Sequence, residues 1–256
     1  MSERGKLFEG VLQWKIDFLG EEGVLPVFYR DNSALNLMFT ASSRAVKSLL
    51  PDSRMRLIEV VPGRCLAVFT AFEYRATDIG PYNELSIAFP VKLERTFPGL
   101  DAARQFLSNR YSAYVWQLPV TTEVARRGGI EFYGFPKFLA DIEFEDREGH
   151  RECRLSEDGV PILSLKGRHL HTKKGPFVEA TTYSVMEGIT IHAKICTDAL
   201  EFGQSLKPDA AELTLADHPL ADALRKLGLS QHPLLYQYCP LTEAILFGGR
   251  NLMECR

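Results

Sequence analysis

Cysteine is scarce and poorly placed for any covalent or metal framework. The five residues, Cys65, Cys153, Cys196, Cys239 and Cys255, are odd in number, far apart and form no Cys-x-x-Cys pair. This argues against a disulfide scaffold and a structural zinc site, and it fits a reducing compartment in which each cysteine is a small buried apolar residue. Positive charge is not in excess: 30 Lys and Arg face 33 Asp and Glu, a formal charge of −3. With no basic stripe interleaved with aromatics, no nucleic-acid partner is expected. Long apolar runs are missing too, and the first ten residues place no such run behind their charges, so no membrane partner is expected and the cytoplasm is the expected location. No phosphate-cradling or dinucleotide glycine motif occurs, since Gly248-Gly249-Arg250 follows a strand pattern without opening a helix. Ser164 and Ser184 lack a histidine-and-acid pattern. His169 and His171 alternate, but two histidines fall short of a metal site and are expected at a loop or core edge. No metal or organic cofactor is implied.

What is present is a chain of 256 residues with 45% hydrophobic content, enough for a substantial core, and no low-complexity linker divides it. A single domain over residues 1–256 is expected. Residues 7–25 are ambiguous; Leu25–Tyr29 reads as an entry strand and Ala34–Thr40 as a mostly buried one. Ser42 caps a short amphipathic helix closed by Pro51. Strands follow at Met55–Val61, Cys65–Arg75 and Tyr82–Leu93, the last with clear apolar alternation. A helix over Asp101–Arg110 gathers Ala102, Ala103, Phe106 and Leu107 on one side. Tyr111–Leu118 reads as a strand, and Thr121 or Thr122 caps a short helix, Glu123–Arg127, that ends at a glycine pair. Further strands are expected at Leu139–Asp146, His150–Leu155, Val160–Lys166, Tyr183–Met186, Ile189–Thr197 and Glu212–Leu215, with a turn at Glu157-Asp-Gly159. A helix over Leu220–Leu227 behind His218-Pro219 precedes Leu234–Tyr238 and Glu243–Phe247. Many short strands and few helices, with no strand–helix alternation, predict a mainly β (α+β) fold: an antiparallel barrel, open or closed, decorated by short helices.

The residues from Gly128 to Ala140 stand apart. They set one lysine, Lys137, directly behind Pro136 and among Tyr133, Phe135 and Phe138, in a segment with three glycines. Two settings satisfy that composition. The lysine can lay its stem on the aromatics and keep its head in water. Alternatively its amine is desolvated, which disfavours the charged form and leaves a nucleophile able to form a Schiff base with a ketone or aldehyde.

The run Glu131-Phe-Tyr-Gly-Phe-Pro-Lys137 resembles the Schiff-base segment of the acetoacetate decarboxylase family. Gly129, Glu131, Pro136 and Lys137 fall on matching positions. The resemblance implies a largely antiparallel barrel with the lysine inside, homo-oligomeric assembly, and a small oxo-acid or other carbonyl substrate, nominally a β-keto acid such as acetoacetate. It implies Lys137 as the amine nucleophile, activated as in acetoacetate decarboxylase itself by desolvation or a second cation. Tyr82-Asn83-Glu84, followed by Phe89-Pro90-Val91, is similar to the family's Tyr-x-Glu and Pro-Val, which implies Glu84 in the lysine's pocket as acid, base or positioning group. Arg30 is the arginine offered for a substrate carboxylate, and Tyr82, Tyr133, Phe135 and Phe138 are the expected substrate-facing aromatics. Glu131 is expected to brace the loop. Two departures weigh on the reaction: Phe138 stands where the decarboxylases carry a second lysine, and Ile130 where they carry arginine. Aldol-type condensation, retro-aldol cleavage or dehydration through the same iminium is the alternative chemistry, and a barrel that binds a small molecule without reaction is the alternative class.

Overall fold

The computed structural model describes residues 4–18 and 20–251. In chain order its strands are β1 (Trp14–Phe18), β2 (Glu21–Leu25), β3 (Val27–Ser42), β4 (Arg56–Leu57), β5 (Glu59–Val61), β6 (Arg64–Thr77), β7 (Tyr82–Lys92) and β8 (Arg110–Gln117). They continue as β9 (Asp141–Arg147), β10 (His150–Glu157), β11 (Val160–Arg168), β12 (Phe177–Met186), β13 (Ile189–Ser205), β14 (Ala211–Leu215), β15 (Leu235–Leu246) and β16 (Arg250–Asn251). Four short helices interrupt them: α1 (Ser43–Lys47), α2 (Leu100–Ser108), α3 (Glu123–Tyr133) and α4 (Pro219–Arg225).

Seven strands in the order β7, β8, β12, β13, β15, β3, β6 form a sheet that closes on itself where β6 pairs with β7. Closure removes the free edges that a large antiparallel sheet would otherwise expose. The expectation of a mainly β barrel with a few short helices is met, with one correction: β8 and β12 run parallel, Arg110 opposite Glu179 and Tyr114 opposite Tyr183, so the barrel is mixed. A parallel pair needs a long connection, and here the chain between the two strands carries α3, the lysine segment and β9, β10 and β11. These three strands with β14 make a second, four-stranded sheet. Its hairpin between β10 and β11 turns through Asp158 and Gly159, both at positive φ (50° and 77°), as the Asp-Gly pair demands.

Alternation explains how the wall divides its duties. Odd-numbered residues of β7, Leu85, Ile87, Phe89 and Val91, join Leu35, Leu37 and Phe39 of β3 and Phe69 and Ala71 of β6 in a core shared with Ile142, Leu155, Ile162 and Leu165 of the second sheet. Each such buried aliphatic or aromatic side chain contributes about 1.5–3 kcal/mol. Even-numbered neighbours, Tyr82 and Glu84 in β7 and Tyr74 in β6, therefore face the opposite way.

Several expectations are revised. Trp14–Phe18 and Glu21–Leu25 pair as the β1–β2 hairpin. The helix expected to stop at Arg127 runs through Gly128 and Gly129 to Tyr133, because both glycines are buried at close contacts that outweigh their poor helix propensity. The last two expected strands are one, β15, with register shifts between Cys239 and Ala244. Phe106 and Leu107 of α2 are exposed, and the buried anchor of that helix is Asp101, which accepts from the Phe97 amide at 2.6 Å and from Lys92 Nζ at 3.1 Å. Ser42 caps α1, accepting from the Ala45 amide, and Thr122 caps α3, accepting from the Ala125 amide, as expected. Cys65, Cys153 and Cys196 are buried free thiols and Cys239 is half-buried; Cys255 lies outside the described residues.

Candidate active site

Lys137 owes its position to two local devices. The first is the end of α3. Gly134 takes the left-handed conformation at φ 60° and its amide donates to the Ile130 carbonyl at 2.9 Å, while the Phe135 amide donates to that of Gly129 at 3.0 Å. This glycine-dependent double bond stops the helix and folds the next residues back across it. The returning lysine lies against Gly129, where an added Cβ would sit 2.5 Å from Lys137 Cε. The second device is a three-layer backbone seam. Pro119 and Asn83 carbonyls tie residues 119–121 to β7 through the amides of Leu85 and Thr121, and the Val120 amide donates to the Phe138 carbonyl at 3.0 Å. Val120 thus bridges Glu84 on one side and Leu139 on the other, and the lysine arrives beside the glutamate.

Lys137 Nζ lies 2.7 Å from Glu84 Oε2, with the two side chains 7% and 9% exposed. The Tyr74 hydroxyl donates to Glu84 Oε1 at 3.2 Å, so both carboxylate oxygens have partners. The ammonium also lies over the Tyr82 ring, 5.6 Å from its centroid, a favourable cation–π position. Tyr82 shares a hydrogen bond of 3.2 Å with Tyr29, and Tyr29, Tyr74 and Tyr82 pack ring against ring. Burial pushes all three phenols up, with the Glu84 charge adding to it, so they act as neutral hydroxyls.

In front of the amine is a cavity of about 270 Å³. The β1–β2 hairpin supplies Ile16, Phe18 and Leu25, α3 supplies Ala125, Gly128, Gly129 and Phe132, and Val27, Tyr29, Ile79 and Leu246 complete most of its apolar wall. Gly128 allows Phe18 to approach; a Cβ there would meet the ring at 2.6 Å. Lys137, Glu22 and Asp78 are the charged residues of the lining among the described residues.

Of the residues singled out in the sequence, the structure gathers Lys137, Glu84, Tyr82, Tyr133 and Phe135. Tyr82, Tyr133 and Phe135 are buried and line the cavity, Tyr133 and Phe135 stacked at 5.3 Å between ring centroids. Arg30 and Phe138 are corrected. Arg30 alternates with Tyr29 along β3 and so points outward, 47% exposed, paired with Asp78 and lying over the Phe8 and Phe28 rings. Phe138 follows Lys137 in an extended segment and faces away from the cavity lining. Glu131 is exposed on α3 and not a loop brace. His169 pairs with Asp146 at 3.0 Å at the edge of β11, in keeping with its expected setting. Glu84 is the direct partner of the amine. Tyr74 and Tyr29 had no signal of their own: Tyr74 becomes a partner of Glu84 only through the β6–β7 register, which sets it opposite Tyr82.

The fold is thus a closed barrel with a buried lysine–carboxylate pair, its lysine lining a small apolar cavity. The chain belongs to the acetoacetate decarboxylase family, whose model matches residues 20–240. Its fold is shared with acetoacetate decarboxylase from Legionella pneumophila at 16% identity, covering 89% of this chain and 87% of that one, with a TM-score of 0.64. It is similarly shared with the enduracididine biosynthesis enzyme MppR complexed with pyruvate (15% identity, 89% and 90% covered, TM-score 0.60). An acetoacetate decarboxylase-like enzyme from Sphingomonas wittichii RW1 is a more distant likeness (12%, 89% and 92%, TM-score 0.52). No curated protein sequence matches the chain.

Proposed function

We propose that this chain is a Schiff-base-forming enzyme that acts on a small carbonyl compound, with Lys137 as nucleophile and Glu84 as its proton partner. The observation that carries the reading is the 2.7 Å contact between Lys137 Nζ and Glu84 Oε2, both buried, with Lys137 lining a cavity large enough for a small molecule. Glu84 takes a proton from the ammonium. The freed lone pair forms a bond to the carbonyl carbon, the π pair moves to oxygen, and a proton passes from the attacking nitrogen to that oxygen to give a carbinolamine. Loss of that hydroxyl as water, with Glu84 returning its proton, leaves an iminium. The iminium then accepts the electron pair of a breaking bond at the adjacent carbon. Tyr74 holds Glu84 in position for these transfers.

Two uses of that electron sink follow from the family. Decarboxylation of a β-keto acid such as acetoacetate sends the electron pair of the broken C–C bond into it and releases carbon dioxide; aldol-type cleavage, condensation or dehydration uses it without loss of a carboxylate. The second is favoured because Arg30 is turned outward onto Asp78 and Phe138 replaces the second lysine. MppR, an enzyme of the same fold, is described as complexed with pyruvate and with the condensation product of pyruvate and imidazole 4-carboxaldehyde, which supports carbonyl chemistry of this kind. The test is borohydride reduction with a panel of keto acids and aldehydes, read by intact mass. Wild type is expected to gain an adduct on the Lys137 peptide that Lys137→Ala lacks. Equal labelling of the two proteins removes the proposal and leaves a non-catalytic binding barrel.

A further inference from the structure

We propose that the outer face of α2 is a two-fold interface through which two copies of this chain pair. A surface helix ordinarily turns its apolar stripe to the core and its polar stripe to water. Helix α2 is mounted the other way round. Its inward side is polar: Asp101 is buried on Lys92 and the Phe97 amide, and Gln105 Nε2 donates at 3.0 Å to the Ser112 hydroxyl, which donates in turn to the Val91 carbonyl. At about 100° per residue, Leu100, Ala103, Phe106 and Leu107 share an arc of about 120° on the opposite side. All four are exposed, Leu107 by 82%. The polar contacts that hold the helix to the barrel thus fix its apolar stripe toward water, where nothing among the described residues covers it.

The arc belongs to a larger patch. The Gly99 amide donates to the Glu59 carbonyl at 2.8 Å and brings exposed Val61 of β5 beside the start of the helix, while the Glu179 amide donates to the Asn109 carbonyl at 3.0 Å and brings exposed Phe177 of β12 beside its end. Exposed Phe97, with the Arg95 guanidinium 5.3 Å over its ring, precedes the first turn. At the areas such side chains bury, the patch offers on the order of 500 Å² of apolar surface. One side of a standard interface removes about 800 Å² from water, about 60% of it apolar, which is nearly the same amount. The surrounding charges, Glu94, Arg95, Arg104, Arg110 and Glu179, are of both signs. Such a rim lacks the basic excess that draws a helix to anionic lipid, and it does not oppose self-association. Ala103 lies at the middle of the arc with Gly99 one turn ahead of it, so two such helices crossing there come close, and Leu100, Phe106 and Leu107 of each pack around the small residues of the other.

The test is analytical ultracentrifugation of the full chain, wild type against Leu107→Glu, with cysteine crosslinking of Ala103→Cys beside it. Wild type is expected as an even-numbered assembly at micromolar concentration. Leu107→Glu brings like charges together across the two-fold and is expected to raise the dissociation constant at least about 100-fold. Its near-ultraviolet circular dichroism should match wild type, because the residue is exposed. Ala103→Cys is expected to form a covalent dimer on mild oxidation that wild type does not, since a disulfide needs Cβ atoms about 3.5–4.5 Å apart and the crossing point brings the two copies that close. A monomeric wild type overturns the proposal, and one that also pellets with phosphatidylserine vesicles gives the face to a membrane instead. An assembly that Leu107→Glu leaves intact, or an Ala103→Cys variant that crosslinks no more than wild type, places the contact elsewhere on the barrel and overturns it as well.

Discussion

Replacing Gly129 by alanine separates the site from the fold. On helix propensity alone the change should stabilise α3 by about 1 kcal/mol. The new methyl, however, would lie 2.5 Å from Lys137 Cε and 3.2 Å from Cγ, whereas carbon atoms rest about 3.5–4.0 Å apart. The stem must therefore swing by roughly 1 Å. Overpacking of this kind costs about 1–3 kcal/mol, so the net loss of stability is about 0–2 kcal/mol and the protein stays folded. The amine cannot make the same adjustment without harm, because its 2.7 Å contact with Glu84 and its place at the cavity wall are set by that stem. A displacement of about 1 Å of a reacting group lowers a rate about 100-fold. Urea denaturation and single-turnover borohydride trapping of Gly129→Ala measure the two effects on one sample. Trapping at the wild-type rate would refute the claim that this glycine positions the Lys137 amine.

Lys137→Met leaves Glu84 buried without its ammonium and is expected to cost about 3–5 kcal/mol, while adding Glu84→Gln recovers part of the loss; urea midpoints that simply add would count against a coupled pair. Asp101 gives an acid-side signature. The Phe97 amide, against the opposing effect of burial and with help from Lys92, holds its carboxyl below the usual range. The unfolded chain therefore takes up this proton first, so the contribution is complete above about pH 4–5 and drains away as pH falls through the folded value. Asp101→Asn should flatten the acid limb of stability against pH, and an unchanged slope would count against it. Gly167→Ala drives a methyl into the Tyr236 ring, 2.6 Å from Cε2, where the fully buried ring is tied through its hydroxyl to the Arg168 carbonyl. A loss of at least about 1–3 kcal/mol is expected by calorimetry, with no route to relief by a flexible side chain.

Much of this was legible in the sequence because local rules and tertiary demand agreed. The alternation of Leu85, Ile87 and Phe89, the serine and threonine caps and the Asp-Gly turn each specify one conformation. Glu123–Tyr133 was misread because propensity ends a helix at paired glycines, and only the approach of Phe18 and Lys137 explains why it continues. Arg30 could be placed outside only once Tyr29 was known to face in, since a strand's two faces are indistinguishable until one is anchored. The same applies to Phe138 beside Lys137. Tyr74, Tyr29 and the β1–β2 hairpin reach the site through strand register and long-range packing, which no local pattern encodes. The pairing of β8 with β12 was invisible for a like reason: parallel strands bear no mark of their direction.

That parallel pairing bears on how Lys137 comes to meet Glu84. Two neighbouring staves of the barrel point the same way, so everything between them departs from one rim and is ferried back to begin again alongside its start. The ferried portion holds the helix, Lys137 and most of the second sheet, and closing so long an excursion is slow. The glutamate belongs to the stave next door, so it is expected to be in place before its lysine arrives. Pulse-labelled amides along β6 and β7 should accordingly gain protection before that of Val120.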